Sequence, residues 1–179
     1  MSRILVPVPL RWGDLDAYGH VNNVAVLQLL EEARIAAFWR HPEVAEPLQT
    51  WPSAVLDAGP GAGTHTLVAR QEVEYLLPID YRRRPLTVEM WIGHLGGASI
   101  EVCYQLTDAV PGPGITVSDE GNEGSPTVAR VVYVQATTTL VLIDAATTRP
   151  RRITPAEREV WAPFLDTPVA LRRRRADGP

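Results

Sequence analysis

The chain has 179 residues, 45% of them hydrophobic and 21% charged, which suits one globular domain with a sizeable core and excludes a fibrous or disordered chain. Its formal net charge of −4 gives no global basic field, so nucleic acid is not an expected partner. A single cysteine, Cys103, excludes an internal disulfide framework; with no signal-peptide pattern and no apolar run near the ~20 residues of a membrane span, the expected location is the cytoplasm.

Residues 4–12 alternate, with Val6, Val8, Leu10 and Trp12 on one parity. Pro7 and Pro9 cannot donate to a ladder, which predicts an edge or irregular first strand. Residues 23–40 contain no Gly or Pro and are rich in Ala, Leu and Glu, so they predict a helix that His41-Pro42 ends. Only a narrow stripe through Gln28, Glu31, Glu32 and Arg34 is polar, and a helix so apolar is expected to be buried on most sides. Residues 43–50 read as a loop. Strand signals follow at about 51–58, 65–77, 86–95, 98–108 and 128–144, separated by Gly59–Gly63 and Gly96-Gly97 turns too short for crossover helices. One early helix followed by a run of strands predicts α+β with a mainly antiparallel sheet. Residues 109–127 collect Gly, Pro and acidic residues and read as a flexible inserted loop. Thr154-Pro155-Ala156-Glu157 is a capping box with proline at the first helical position, so a short helix is expected to about Phe164. A single domain is expected over 1–165, and residues 166–179, ending in four arginines, read as a basic, disordered tail.

The chemistry is concentrated in Arg11-Trp12-Gly13-Asp14-Leu15-Asp16-Ala17-Tyr18-Gly19-His20-Val21-Asn22-Asn23, between the first strand and the helix. Asp and Asn suit turns and helix caps, Gly19 permits positive φ, and a helix start offers unpaired N–H groups with partial positive charge. The stretch thus joins a possible base or nucleophile to donors for an oxyanion. Asp16 taken alone is a turn cap or such a carboxylate; Asp14 reads as a turn former bonding backbone amides or Arg11. His20 is a structural residue or a group that polarises a carbonyl. Asn22 and Asn23 are helix caps before they are substrate contacts.

The pattern Asp14-x-Asp16-x-x-Gly19-His20-Val21-Asn22-Asn23, then Glu32-Ala33-Arg34, resembles the signature of hotdog-fold acyl-CoA thioesterases of the 4-hydroxybenzoyl-CoA thioesterase-like group and of plant acyl-ACP thioesterases. Weaker likenesses run through Glu74-Tyr75-Leu76-x-Pro78 and Gly96-Gly97-Ala98-Ser99. The resemblance implies an antiparallel β-sheet wrapped around one long central helix, and a homodimer or multiple of dimers, such as a tetramer, with its sites at the seam. It implies hydrolysis of an acyl-CoA thioester without metal or redox cofactor. Asp16 would act as nucleophile or general base, His20 would orient substrate or water, and Gly19 with the following N–H groups would hold the oxyanion. Tyr18 stands where the plant enzymes carry asparagine, which leaves room for direct attack by Asp16; Tyr18, Asn22 and Asn23 are further substrate contacts. Arg82-Arg83-Arg84 would grip the CoA phosphates, or form a solvated turn, and Ser99 would bond the pantetheine arm. Glu32 and Arg34 read as a structural pair, and Cys103 as a buried strand thiol. The rival classes are a non-catalytic acyl-CoA-binding or regulatory protein and another hotdog enzyme such as a hydratase.

Overall fold

Alternating apolar residues build a five-stranded antiparallel sheet in the order β1-β5-β6-β7-β4. The structure, a computed structural model, describes residues 2–40, 51–108 and 130–172. The loops expected over 43–50 and 109–127, and the arginines from 173 onward, lie outside the described residues.

Strand β1 is Ile4–Val8, α1 Asn23–Phe38 and β2 Trp39–Arg40. Next come β3 Leu56–Asp57, β4 Thr64–Tyr75, β5 Leu86–Leu95, β6 Ser99–Thr107, β7 Val132–Asp144 and α2 Pro155–Trp161. Among the described residues strand β1 pairs only with β5, the edge position that Pro7 and Pro9 predict. The expected strand at 51–58 shrinks to Leu56–Asp57, which pairs in parallel with β2. The reason is local: Trp51-Pro52-Ser53 turns back, and the buried Ser53 hydroxyl donates to the Ala37 carbonyl (2.7 Å) at the end of α1.

One face of the sheet carries the core. Val6 and Val8 of β1, Val88, Met90 and Ile92 of β5, Val102, Tyr104 and Leu106 of β6, and Leu140 and Leu142 of β7 are all buried there. Against them α1 lays Ala25, Val26, Leu29, Leu30, Ala33, Ala37 and Phe38, spaced to share one helical face. Its other flank is less covered than expected: Val24 is exposed, and Leu27, Ile35 and Ala36 are half-buried, because a single five-stranded layer shields only one side. The helix also ends two residues early, at Phe38, since Trp39 is already extended. The polar stripe is revised too. Arg34 is buried, its guanidinium meeting the Tyr104 hydroxyl and Glu31 (3.3 Å each), because residues three apart on a helix face each other and Glu32, two apart, does not.

The second helix starts as expected, with Thr154 and Glu157 capping each other and Pro155 at its first position. Burial pushes the Glu157 carboxyl up, but bonds from Arg151 and Thr154 outweigh it and hold the group below its ordinary value. Thr154→Ala is expected to lower stability by about 1 kcal/mol in urea unfolding at neutral pH. The Glu157 contribution is present above the ordinary carboxylate range and fades as pH falls through its depressed folded value.

Residues 166–172, read from the sequence as the start of a disordered tail, lie across the outer face of the sheet. Asp166 N–H donates to the Ile92 carbonyl (3.0 Å), Trp91 Nε1 to Thr167 O (2.8 Å), and Arg172 N–H to Glu74 of β4 (2.5 Å). Arg3 ties the strap to the first strand, pairing with Glu89 (3.0 Å) and Asp166 (3.1 Å) above the Trp91 ring. Beneath the strap a Cβ on Gly93 would stand 2.6 Å from Glu101 Oε1 and 2.8 Å from Cys103 Sγ, so any larger residue would have to push both side chains aside. Cys103 is fully buried there, and burial pushes its thiol up to about 11.

Candidate active site

The motif folds as a tight loop between β1 and α1. Trp12–Asp14 form a short 3₁₀ turn, closed by Asp14, whose buried carboxylate accepts from Arg11 N (2.6 Å) and faces Arg11 Nε (3.5 Å). Leu15 bridges back to Val21 in antiparallel fashion, and between them Gly19 takes φ +81°, where a side chain would be strained. Asp16 organises this loop. Its Oδ1 accepts from the N–H of Tyr18 (2.8 Å) and of His20 (3.1 Å), while its own N–H donates to His20 O (2.8 Å). Oδ2 of Asp16 accepts no hydrogen bond among the described residues.

The half-buried Asp16 stands in the wall of a cleft of about 330 Å³. Val21, just before α1, and Asn23 and Val26 of its first turn form one side, and Tyr75 through Ile79, the end of β4 and the segment leaving it, forms the other. Val21 N–H donates to Ile79 O (2.8 Å), and the Tyr75 hydroxyl to Asn23 O (3.1 Å), so the two sides are stitched together. Burial raises the Tyr75 phenol above its ordinary value, which keeps it a donor.

Of the residues expected at the site, Asp16 and Asn23 line this cleft. Asn22 caps α1, accepting from Val24 N (2.8 Å). Tyr18 is exposed on the loop. The amides of Gly19 to Asn22 are already engaged: Gly19 to Asp16 O, His20 to Asp16 Oδ1 and Asn22 to Asp14 O within the loop, and Val21 to Ile79 O across the cleft. The Asn23 N–H, one residue further into the first helical turn, has no acceptor among the described residues. The His20 ring turns toward Asp80, with Nε2 3.7 Å from Oδ1.

The arginine run divides. Arg82 donates to the Tyr133 hydroxyl (3.0 Å) and sits 3.9 Å from Asp108, and Arg84 donates to Asp108 O (3.1 Å). Arg83 is exposed and has no partner among the described residues. Ser99 is not brought to the cleft: strand register puts it beside Val141, at the opposite end of the sheet from Tyr75 and Val134. Among the described residues no group of three His, Cys, Asp or Glu is placed to hold a metal ion. The wall Tyr75–Ile79 and the facing Asp80 carry no chemical signature of their own; the likeness over Glu74-Tyr75-Leu76-x-Pro78 was the one signal pointing there.

A comparison with curated proteins gave no match. Among solved structures, the chain is similar to a predicted thioesterase from Bacillus stearothermophilus, with TM-score 0.63 and 19% identity over 94% of this chain and 100% of that one. A thioesterase-superfamily protein from Jannaschia sp. CCS1 gives TM-score 0.63 and 19% identity over 93% and 95%. A thioesterase from Thermus thermophilus, complexed with coenzyme A and Zn, gives TM-score 0.59 and 26% identity over 89% and 92%. These likenesses, with a mainly antiparallel sheet and few helices, fit the hotdog expectation. The model of one family, the thioesterase-like superfamily, matches residues 10–164, and the chain belongs to that superfamily.

Proposed function

We propose that the protein hydrolyses acyl-CoA thioesters to the free acid and CoA, with Asp16 as nucleophile or general base. The observation that carries this reading is the Asp16 carboxylate itself: one oxygen is pinned by two amides, the other is unengaged among the described residues, and the residue lines the cleft. Pinning fixes the carboxylate without occupying the second oxygen, the pre-organisation an attacking group needs. In direct attack Oδ2 adds to the thioester carbonyl and expels the CoA thiolate, leaving an acyl-aspartyl anhydride that water then cleaves. As a base, Asp16 instead takes a proton from water as that water attacks. Asn23 N–H, at the positive end of α1, is the donor offered to the oxyanion. Val21, Val26 and Leu76–Ile79 supply an apolar wall for the acyl group.

The rival reading, a binding protein without catalysis, draws on the same two amide bonds, which also describe a plain turn-forming aspartate. Short, medium, long and aromatic acyl-CoAs, assayed for thiol release with a colorimetric reagent, separate the two. Release from none of them discards the hydrolase.

The active unit is a dimer joined along β4. This strand is an edge twelve residues long, with Leu67 57%, Val68 48% and Tyr75 49% exposed, and such an edge is a template for another strand. Pairing there sets the partner beside Tyr75 and the cleft. Sedimentation is expected to give a dimer or a multiple of it at micromolar concentration; a well-folded monomer would remove the shared-site arrangement.

A further inference from the structure

Trp12 is 73% exposed, yet it is not loose. The 3₁₀ turn fixes its backbone, and Tyr81 stacks beneath it with ring centroids 4.5 Å apart and planes 19° from parallel. Tyr81 is half-buried against the core, so the pair presents one rigid aromatic face outward. Two residues along from Tyr81 stands the exposed Arg83, without a partner among the described residues. Arg11, next to Trp12, is also largely exposed, its Nε 3.5 Å from Asp14.

The surroundings give this face a direction. The segment that leaves β4 lines the cleft with Tyr75–Ile79, passes Asp80 beside His20, and then sets Tyr81 under Trp12. Cleft, loop and stack therefore follow one another along one end of the sheet. The stack also lies near where β1 ends and β5 begins, at the other end of the sheet order from the β4 edge.

We propose that the Trp12–Tyr81 stack is a platform for a purine ring, and that it holds the adenine of CoA while Arg83 meets the neighbouring phosphates. This rests on the acyl-CoA reading above and extends it to the nucleotide end of the substrate. A pre-stacked indole loses little conformational freedom when a base settles on it, and a π-face accepts a base without hydrogen-bond readout. The Arg83 guanidinium supplies a positive charge to complement the phosphates.

The test compares the best acyl-CoA of the panel with the same acyl group carried on pantetheine, which lacks the nucleotide. The kcat/KM preference for CoA over pantetheine is expected to fall about tenfold in Trp12→Ala and to recover most of its size in Trp12→Phe. Calorimetric titration with adenosine 3′,5′-bisphosphate, which needs no hydrolysis, is expected to show binding weakened by a similar factor in Trp12→Ala. An unchanged preference, an equal loss on both substrates, or loss of the dimer in Trp12→Ala overturns the platform. If no thioester is cleaved but the bisphosphate binds and Trp12→Ala weakens it, the hydrolase reading falls and the platform stands.

Discussion

Asp16→Asn is expected to keep the fold and the dimer while losing kcat by roughly 10²–10⁴-fold, the usual cost of removing a general base, and more if the carboxylate is a covalent nucleophile. The amide is nearly isosteric, and its carbonyl oxygen can still accept from the N–H groups of Tyr18 and His20, so the loop around Gly19 survives. What disappears is the negative charge of a carboxylate that lines the cleft. Asp14→Asn is the contrasting case: its carboxylate is buried and closes the 3₁₀ turn onto Arg11, so its loss is expected in melting temperature before rate. Single turnover in ¹⁸O-water parts the two roles of Asp16. Direct attack leaves label in the Asp16 carboxylate once the anhydride is cleaved there, whereas base catalysis labels only the product acid. Near-full activity in Asp16→Asn would refute the site.

Trp161→Ala is expected to cost about 3–5 kcal/mol in urea unfolding, a large part of the ~5–15 kcal/mol that holds a domain together. Trp161 is fully buried, its ring lies 6.1 Å from that of Phe38, and its Nε1 donates to Ser53 O (3.0 Å). It thus joins α2 to the end of α1 and to the turn that follows. Removing it leaves a cavity and an unpaired carbonyl in one change. Trp161→Phe should recover much of the packing without the hydrogen bond. A loss below about 1 kcal/mol for the alanine variant would mean that the α2 contact with Phe38 contributes little.

Local chemistry was legible in the sequence. The Asn22 cap, the Thr154–Glu157 capping box and the turn role of Asp14 each involve residues within four positions, so side-chain type and spacing were enough. The edge character of β1 was legible for the same reason, since Pro7 and Pro9 carry it. The facing wall of the cleft was legible only as a faint likeness over Glu74–Pro78, because Tyr75–Ile79 reaches Asp16 only after the chain has completed β4. Helical spacing does set Arg34 on the buried face, four positions from both Leu30 and Phe38, but what receives its charge there, the Tyr104 hydroxyl, comes from a distant strand that residue type does not announce. Arg82 and Arg84 read as free cations until Asp108 and Tyr133 were placed beside them. The strap at 166–172 escaped because much of its docking uses backbone groups, which leave no mark in residue type.

The strap and the first strand also dictate an order of events during synthesis. Val8 of β1 finds its partner only at Leu86, and Arg3 meets Asp166 across 163 positions. While the ribosome makes the intervening chain, β1 waits as an unpaired edge, and Pro7 and Pro9 make it a poor template for a wrong neighbour. Hairpins β5–β6 and β6–β7 can close on their own, but the N-terminal strand must wait for β5, and the outer face for the final tenth of the chain. Such distant closures carry a loop-entropy cost before any contact repays it, which puts folding in the slower, milliseconds-to-seconds regime of sheet proteins. The outer face of the sheet therefore closes only when Arg3 and Asp166 meet.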